Sequence, residues 1–359
     1  MRTRAVTTLA GLLLLPLMVA GCFLLRTPPE AVLLAEQIDA ATFRFSALDS
    51  HDPDGAIVGI VWSYGDGTTE PGAVRVHVYE DPGDYRVVVE ITDDDGLTAT
   101  AELLITAYRE IRVPGDYSTI QAAIDAATDG DVITLAGQPF TEQIRFSGKA
   151  ITIRGQGQTE TTLHQPPIDS GLDPTAIVTF DAGETRSSIL ENLTIQGGPW
   201  SFFEAGAIRI VDASPIIRGC IISSHGATFG GAVSVRESGA LFEGNRFLNN
   251  RATIDGGAVY VVGESTFPDF ADNEFTGNMA DAGGAICFRA RDGATMTTDA
   301  KLSSISGNVF TSNQALGSPA TRALSGGAIH VGLGVRVLLE DNEFIGNTPN
   351  DVLYEDFAL

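Results

Sequence analysis

The sequence predicts an all-β chain: a small β-sandwich, then a right-handed parallel β-helix opened by a short cap helix. Three observations carry this. Alternating apolar runs between about Pro29 and Tyr108 are separated by turn clusters at Asp52–Gly55, Gly65–Thr68, Asp81–Gly83 and Asp93–Gly96. After Arg109 a phrase ending in Gly-Ala recurs with its alanines 25, 26, 27 and 43 residues apart, a period that marks a solenoid. Forty glycines in 359 residues favour turn-rich β architecture over helices. The expected division is 1–21 leader, 22–29 linker, 30–108 sandwich and 109–359 β-helix.

The leader reads MRTRAVTTLAGLLLLPLMVAG. A basic start, an apolar stretch near Leu9–Val19 and small residues before Cys22 describe a secretory signal peptide, too short for an ordinary transmembrane helix. Val19-Ala20-Gly21-Cys22 resembles the lipobox of bacterial lipoproteins. That resemblance implies lipidation at Cys22 after cleavage before it, and more than one acyl chain gives stable anchoring. Phe23 stands where inner-membrane retention would favour Asp, which implies an outer-membrane or cell-surface location.

In the sandwich segment, YRVVVEI and LTATAELLI flank TDDDG and read as a β-hairpin. Several short strands at this spacing indicate two packed sheets. Asp52–Gly55 (DPDG), Trp62–Gly67 (WSYGDG) and the late YRVVVEITDDDG resemble the PKD domain, an immunoglobulin-like module, with Ser63 where the usual phrase has Asp. The resemblance covers nearly the whole segment and implies a spacer, or a carbohydrate or protein contact, without catalysis. Asp49, Asp52 and Asp54 are closely spaced around a turn, as calcium ligands would be. Asp and Gly also populate such turns for backbone reasons alone.

The remainder opens with STIQAAIDAATDGDVITLA. Ser118 is the expected cap of a helix whose Ile120 and Ile124 share a face, and TDGD stops it. A second register runs through Ile195, Ile221, Phe247, Phe275, Phe310 and Phe344. Between the two marks lies a further strand-like run, such as SPIIRG or GALFEG. Three strands per coil stack like residues above one another. Val259 and Val261 are expected inside with Tyr260 outside, and Asn250, Asn278, Asn313 and Asn347 in a hydrogen-bonded corner ladder. The opening motif resembles the pectin lyase-like superfamily, and the FxxN…GGAI phrase resembles the repeat of polymorphic outer-membrane proteins. Both imply the β-helix; neither assigns an activity, because this fold hosts enzymes, adhesins and inert stalks.

The formal charge is −24, so nucleic acid is a poor partner. Enzymes of the resembled superfamily set carboxylates side by side on an outward face. Here the expected outward residues are Arg209, Ser234, Tyr260, Cys287 and His330 on one strand, and Cys220, Arg246, Glu274, Val309 and Glu343 on another. Neither stripe holds adjacent carboxylates, so no catalytic residue is assigned. Asp255 and Asp281, each before a Gly-Gly, form the nearest acidic pair. His225-Gly226 matches a fragment of the polygalacturonase pattern without its aspartate pairs. Candidate ligand contacts are therefore Arg209, Tyr260, His330, Asp255 and Asp281, with no cofactor beyond possible calcium. An insertion at 289–306, holding Asp292, Asp299 and Lys301, interrupts one coil. Cys220 and Cys287 fall on different strands more than one coil apart and are not expected to pair. The expected role is a lipid-anchored, non-catalytic surface or periplasmic protein contacting polysaccharide or another protein. The alternatives are a polysaccharide lyase or glycoside hydrolase, and an inert envelope component.

Overall fold

A computed structural model describes residues 26–38, 40–167, 176–197, 205–264, 267–290, 302–317 and 325–355. The chain divides into two compact units, Met1–Arg109 and Glu110–Leu359.

The first unit is the β-sandwich. One antiparallel sheet orders Leu34–Gln37, Thr42–Ser46 and Val74–Val78; the other orders Thr69–Pro71, Ile57–Ser63, Gly83–Asp93 and Thr98–Ala107. The expected hairpin is the pair Gly83–Asp93 and Thr98–Ala107, closed at Thr92↔Thr98. Phe45, Trp62, Tyr64, Tyr79, Val87, Val89 and Ile91 fill the space between the sheets. Two aromatic tips reach backbone acceptors there, as burial demands: Trp62 Nε1 donates to Gly72 O at 2.7 Å and the Tyr79 hydroxyl to Tyr64 O at 2.9 Å. Gly65 has φ +85°, and a Cβ there would meet Arg86 O at 2.8 Å, so the turn after Tyr64 requires glycine.

The second unit is a parallel β-helix. Three long sheets of eight, eight and nine strands stack the coils. The structure adds what the sequence reading lacked, a fourth sheet of four strands: Gly226–Phe229, Arg251–Asp255, Met279–Ala280 and Gln314–Ala315. The helix Ile120–Ala126 buries Ile120 and Ile124 against the first coil. Its cap is Thr119, not Ser118: the Thr119 hydroxyl accepts from Ala122 N. Glu142 accepts from Ile120 N and Gln121 N at the helix start, and Lys149 Nζ donates to Ile124 O, Asp125 O and Ala127 O at its end. Opposite charges thus serve opposite ends of the helix dipole.

Two corners of the later coils carry asparagine ladders. At the second corner Asn250, Asn278, Asn313 and Asn347 stack as expected. Each Oδ1 accepts from the backbone N and Nδ2 of the asparagine one coil earlier, at 2.9–3.0 Å where that residue is present. The first corner carries an equal ladder that the sequence reading missed, Asn245, Asn273, Asn308 and Asn342. Every member follows a left-handed residue, such as Gly244, Asp272, Gly277 or Ser312, so the chain turns and the amide points inward.

Phe247, Phe275, Phe310 and Phe344 stack at 4.7, 4.8 and 5.1 Å. This ladder continues through Ile222 and Ile195, not Ile221. The Gly-Gly of the repeated phrase divides its work. Gly256 has φ +68°, and a Cβ on Gly257 would lie 2.0 Å from Gly284 O, so no other residue fits where successive coils touch. Val259 and Val261 are buried, as expected.

Candidate functional site

The outward stripe has the predicted register. Arg209, Ser234, Tyr260, Cys287 and His330 pair rung by rung along adjacent parallel strands. Its exposure differs from expectation at three rungs: Ser234 is 3% exposed, Cys287 0% and His330 2%. Arg209 and Tyr260 remain half-buried, two rungs or about 10 Å apart along the stack. Arg209 Nη1 lies 3.4 Å from Asp181, which also takes Arg145 at 2.7 Å. The Tyr260 ring packs on Phe229, centroids 5.0 Å apart and planes at 37°. Phe229 belongs to the fourth sheet, and for that reason the sequence reading did not place it here.

His330 is covered because charged side chains converge over it. Arg289, two residues beyond Cys287 on the same face, grips Asp255 with Nε and Nη2, both at 3.0 Å. Its Nη1 reaches Glu355 at 2.6 Å, and His330 Nε2 lies 2.8 Å from the same carboxylate oxygen. Burial and then the Arg289 charge hold the His330 pKa below its ordinary value, against the pull of Glu355. The Glu355 pKa is lowered by its hydrogen bonds to Arg289 and His330, which outweigh its desolvation. His330 Nδ1 is buried without a partner. His330 is therefore a neutral, enclosed ring and not the open ligand contact expected of it.

Asp255 and Asp281 do not stack. Asp255 bridges to Ala282, with Phe229 as its counterpart one coil earlier. Asp255 is buried in its arginine clasp while Asp281 is exposed. A one-residue offset reverses which way a strand residue points, so the two carboxylates share no site. The same offset corrects Cys220: Ile221, not Cys220, aligns with Arg246, Glu274, Val309 and Glu343. Cys220 is fully buried at the head of the first asparagine ladder, its N donating to Asn245 Oδ1.

Both thiols are free. Burial pushes Cys220 up to about 12 and, with Asp255 beside it, raises Cys287 well above its ordinary value. Protonated, enclosed thiols make poor nucleophiles.

Two further outward carboxylates are paired with arginines. Glu191, nearly buried, sits between Arg154 and Arg218. Arg246 and Glu274 form the expected exposed pair at 2.7 Å, a contact of small energetic value. Its arginine hydrogen bond holds Glu274 below the ordinary carboxylate range. A general acid for glycoside chemistry needs the opposite shift.

In the sandwich, Asp54 accepts from Thr27 N at 3.0 Å and Asp52 from Asp54 N at 3.4 Å, while Asp49 is exposed at the surface. Among the described residues no three His, Cys, Asp or Glu side chains are grouped to hold a metal ion. No described helix is long and apolar enough to cross a membrane. Cys22 and the inserted residues Asp292, Asp299 and Lys301 lie outside the described residues.

Residues 26–107 match the family described as PKD domain, and residues 175–349 the family described as right handed beta helix region. The chain thus carries a PKD sandwich followed by a right-handed β-helix. It is 34% identical over 115 residues to a microbial collagenase of Vibrio alginolyticus, covering 31% of this chain. The chain spans 14% of the length of that relative. Among solved structures, the PKD1 domain of Vibrio anguillarum Epp is 27% identical, covers 23% of this chain and 95% of its own, and has a TM-score of 0.22. The pectin methylesterase from Aspergillus niger is 15% identical, covers 70% of this chain and 90% of its own, and has a TM-score of 0.40.

Proposed function

We propose that this chain, with its PKD domain and β-helix, is a lipid-anchored surface or periplasmic binding protein without catalytic activity. Its β-helix presents an outward face to extracellular polysaccharide. One observation carries the reading: Arg209, Tyr260 and Phe229 form a half-buried patch of one guanidinium and two rings on one side of the coil stack. Flat apolar rings suit the faces of sugar residues, and a guanidinium suits their hydroxyl or carboxylate oxygens. Asp181 beside Arg209 and Asp255 beside Phe229 are clasped by arginines, which supports binding over acid–base chemistry. The collagenase relative acts, by its name, on collagen, an extracellular protein, which agrees with an exported location. Lipidation at Cys22 rests on the lipobox-like residues alone.

The test is retention of the chain from Thr27 onward on immobilised acidic and neutral polysaccharides. Tyr260→Ala and Phe229→Ala are expected to lose retention while keeping the β-sheet spectrum of the parent. Unchanged retention in both variants would move the binding surface elsewhere.

A further inference from the structure

The described chain is fastened to the sandwich from its first residues. Arg26 Nε lies 3.2 Å from Asp95, Thr27 N donates to Asp54, and Glu30 and His51 exchange backbone hydrogen bonds at 2.8 and 3.2 Å. The segment expected to be a linker through residue 29 is therefore docked from Thr27 onward. Only five peptide units separate Cys22 from Thr27, a reach of at most about 18 Å.

The docking point is at one pole of the sandwich. Ala56 N donates to Asp94 Oδ1 at 2.8 Å and Asp94 N to Ala56 O at 3.0 Å, which joins the loops at 47–56 and 93–97. From that pole the ten-residue strand Thr98–Ala107 runs the length of the sheet, about 33 Å. Ala107 then pairs with Gly83, and Tyr108 N donates to Ala40 O, at the other end. The tethered end and the exit toward residue 110 lie at opposite poles.

We propose that the pole built from residues 47–56 and 93–97 faces the phospholipid headgroups, so that the sandwich is a pedestal of fixed height. This rests on the lipid anchor at Cys22. Leu48, 68% exposed, and Val58, 66% exposed, are apolar surface offered at this pole. The same pole carries Glu30, Asp49, Asp52, Asp54, Asp94 and Asp95, with Arg26 paired to Asp95 and His51 to Glu30. That balance is repelled by anionic lipid within a Debye length and fits a zwitterionic headgroup layer.

The test uses the full chain, purified from a bacterial host and reconstituted in phosphatidylethanolamine–phosphatidylcholine vesicles carrying a headgroup energy acceptor. A donor is placed by Asp49→Cys at the near pole or Asp81→Cys at the far pole. Cys220 and Cys287 are buried and an acylated Cys22 carries no free thiol, so each site is singly labelled. Position 49 is expected to lie about 30 Å closer to the lipid than position 81. A flexible Gly-Ser insert of roughly twelve residues between Leu25 and Arg26 is expected to remove that difference. Equal heights in the parent, or a difference that survives the insert, would overturn the proposal. The mass of the N-terminal fragment separates the two readings. An unacylated Cys22, or a Cys22→Ser chain that floats with vesicles like the parent, overturns the anchor and the pedestal together. An acylated chain with equal heights overturns the pedestal alone.

Discussion

Asn278→Ala should unfasten the β-helix locally, and its cost follows from the ladder. Asn278 is fully buried. Its Oδ1 accepts from Asn250 N and Asn250 Nδ2, and its Nδ2 donates to Phe247 O and Asn313 Oδ1, all at 2.9–3.0 Å. Truncation strands the Asn250 N–H in a site closed to water and removes the amide bonds to Phe247 O and Asn313 Oδ1. The stranded donor costs about 1–3 kcal/mol and each lost amide bond about 1 kcal/mol, so the total is about 4 kcal/mol. Asn278→Asp separates this account from a simpler one. An aspartate restores the acceptor for Asn250 N but sets a carboxylate oxygen against Phe247 O and Asn313 Oδ1. It should therefore be no more stable than the alanine variant. Because a solenoid couples each coil chiefly to its neighbours, amide hydrogen exchange is the right assay. Exchange at Asn250 should accelerate roughly a thousandfold, the equivalent of about 4 kcal/mol, while the sandwich amides of residues 83–107 stay unchanged. Parent-like exchange at Asn250, or full protection in Asn278→Asp, would refute the reasoning.

His225 is buried with Nε2 3.1 Å from Ile195 O, and burial lowers its pKa to about 4. The unfolded chain takes up a proton near 6.5, so stability should fall as pH drops from about 6.5 to about 4, by about 3 kcal/mol. His225→Asn, which extends the second asparagine ladder by one rung, should flatten that limb in denaturant titrations. Glu355, with its lowered pKa, should contribute stability above the ordinary carboxylate range that is lost as pH falls through its folded value. Arg289→Met should weaken that acid dependence, leaving only the His330 and Leu333 hydrogen bonds to Glu355, at the cost of leaving Asp255 without its counter-charge. Phe275→Ala opens a hole in the phenylalanine stack and should cost about 3–5 kcal/mol by denaturant unfolding. Native chain at pH 8 should leave Cys220 and Cys287 unmodified by iodoacetamide, with both alkylated in guanidinium.

The repeat made most of the scaffold readable. A side chain above Val233 is above Val259 because Gly-Ala-Val recurs, and so the Arg209–His330 ladder could be aligned from spacing alone. Spacing fails where two adjacent residues satisfy the same pattern. Ile221 and Ile222 are both isoleucine, so the register slipped by one and Cys220 was turned outward. It also fails where strand lengths change: Arg251–Asp255 has five residues and Met279–Ala280 two, which offsets Asp255 from Asp281. The first asparagine ladder was legible in principle, since Asn245, Asn273, Asn308 and Asn342 each stand two residues before a stacked phenylalanine. The cover over His330 was not. It comes from Asp255 and Arg289 on two separated strands and Glu355 just past a third, which meet in space and share no local pattern. The Phe229–Tyr260 contact is of the same kind, joining two sheets that no period relates.

The most direct test of the binding reading is to incubate the chain from Thr27 onward with acidic and neutral polysaccharides, with and without calcium. Unsaturated ends would be followed by ultraviolet absorbance, new reducing ends by colour, and retention by pull-down. The account predicts retention that depends on Tyr260 and Phe229, with no product of either kind. Release of unsaturated or reducing ends, abolished by Asp255→Asn or Asp281→Asn, would contradict it and make this face a catalytic one.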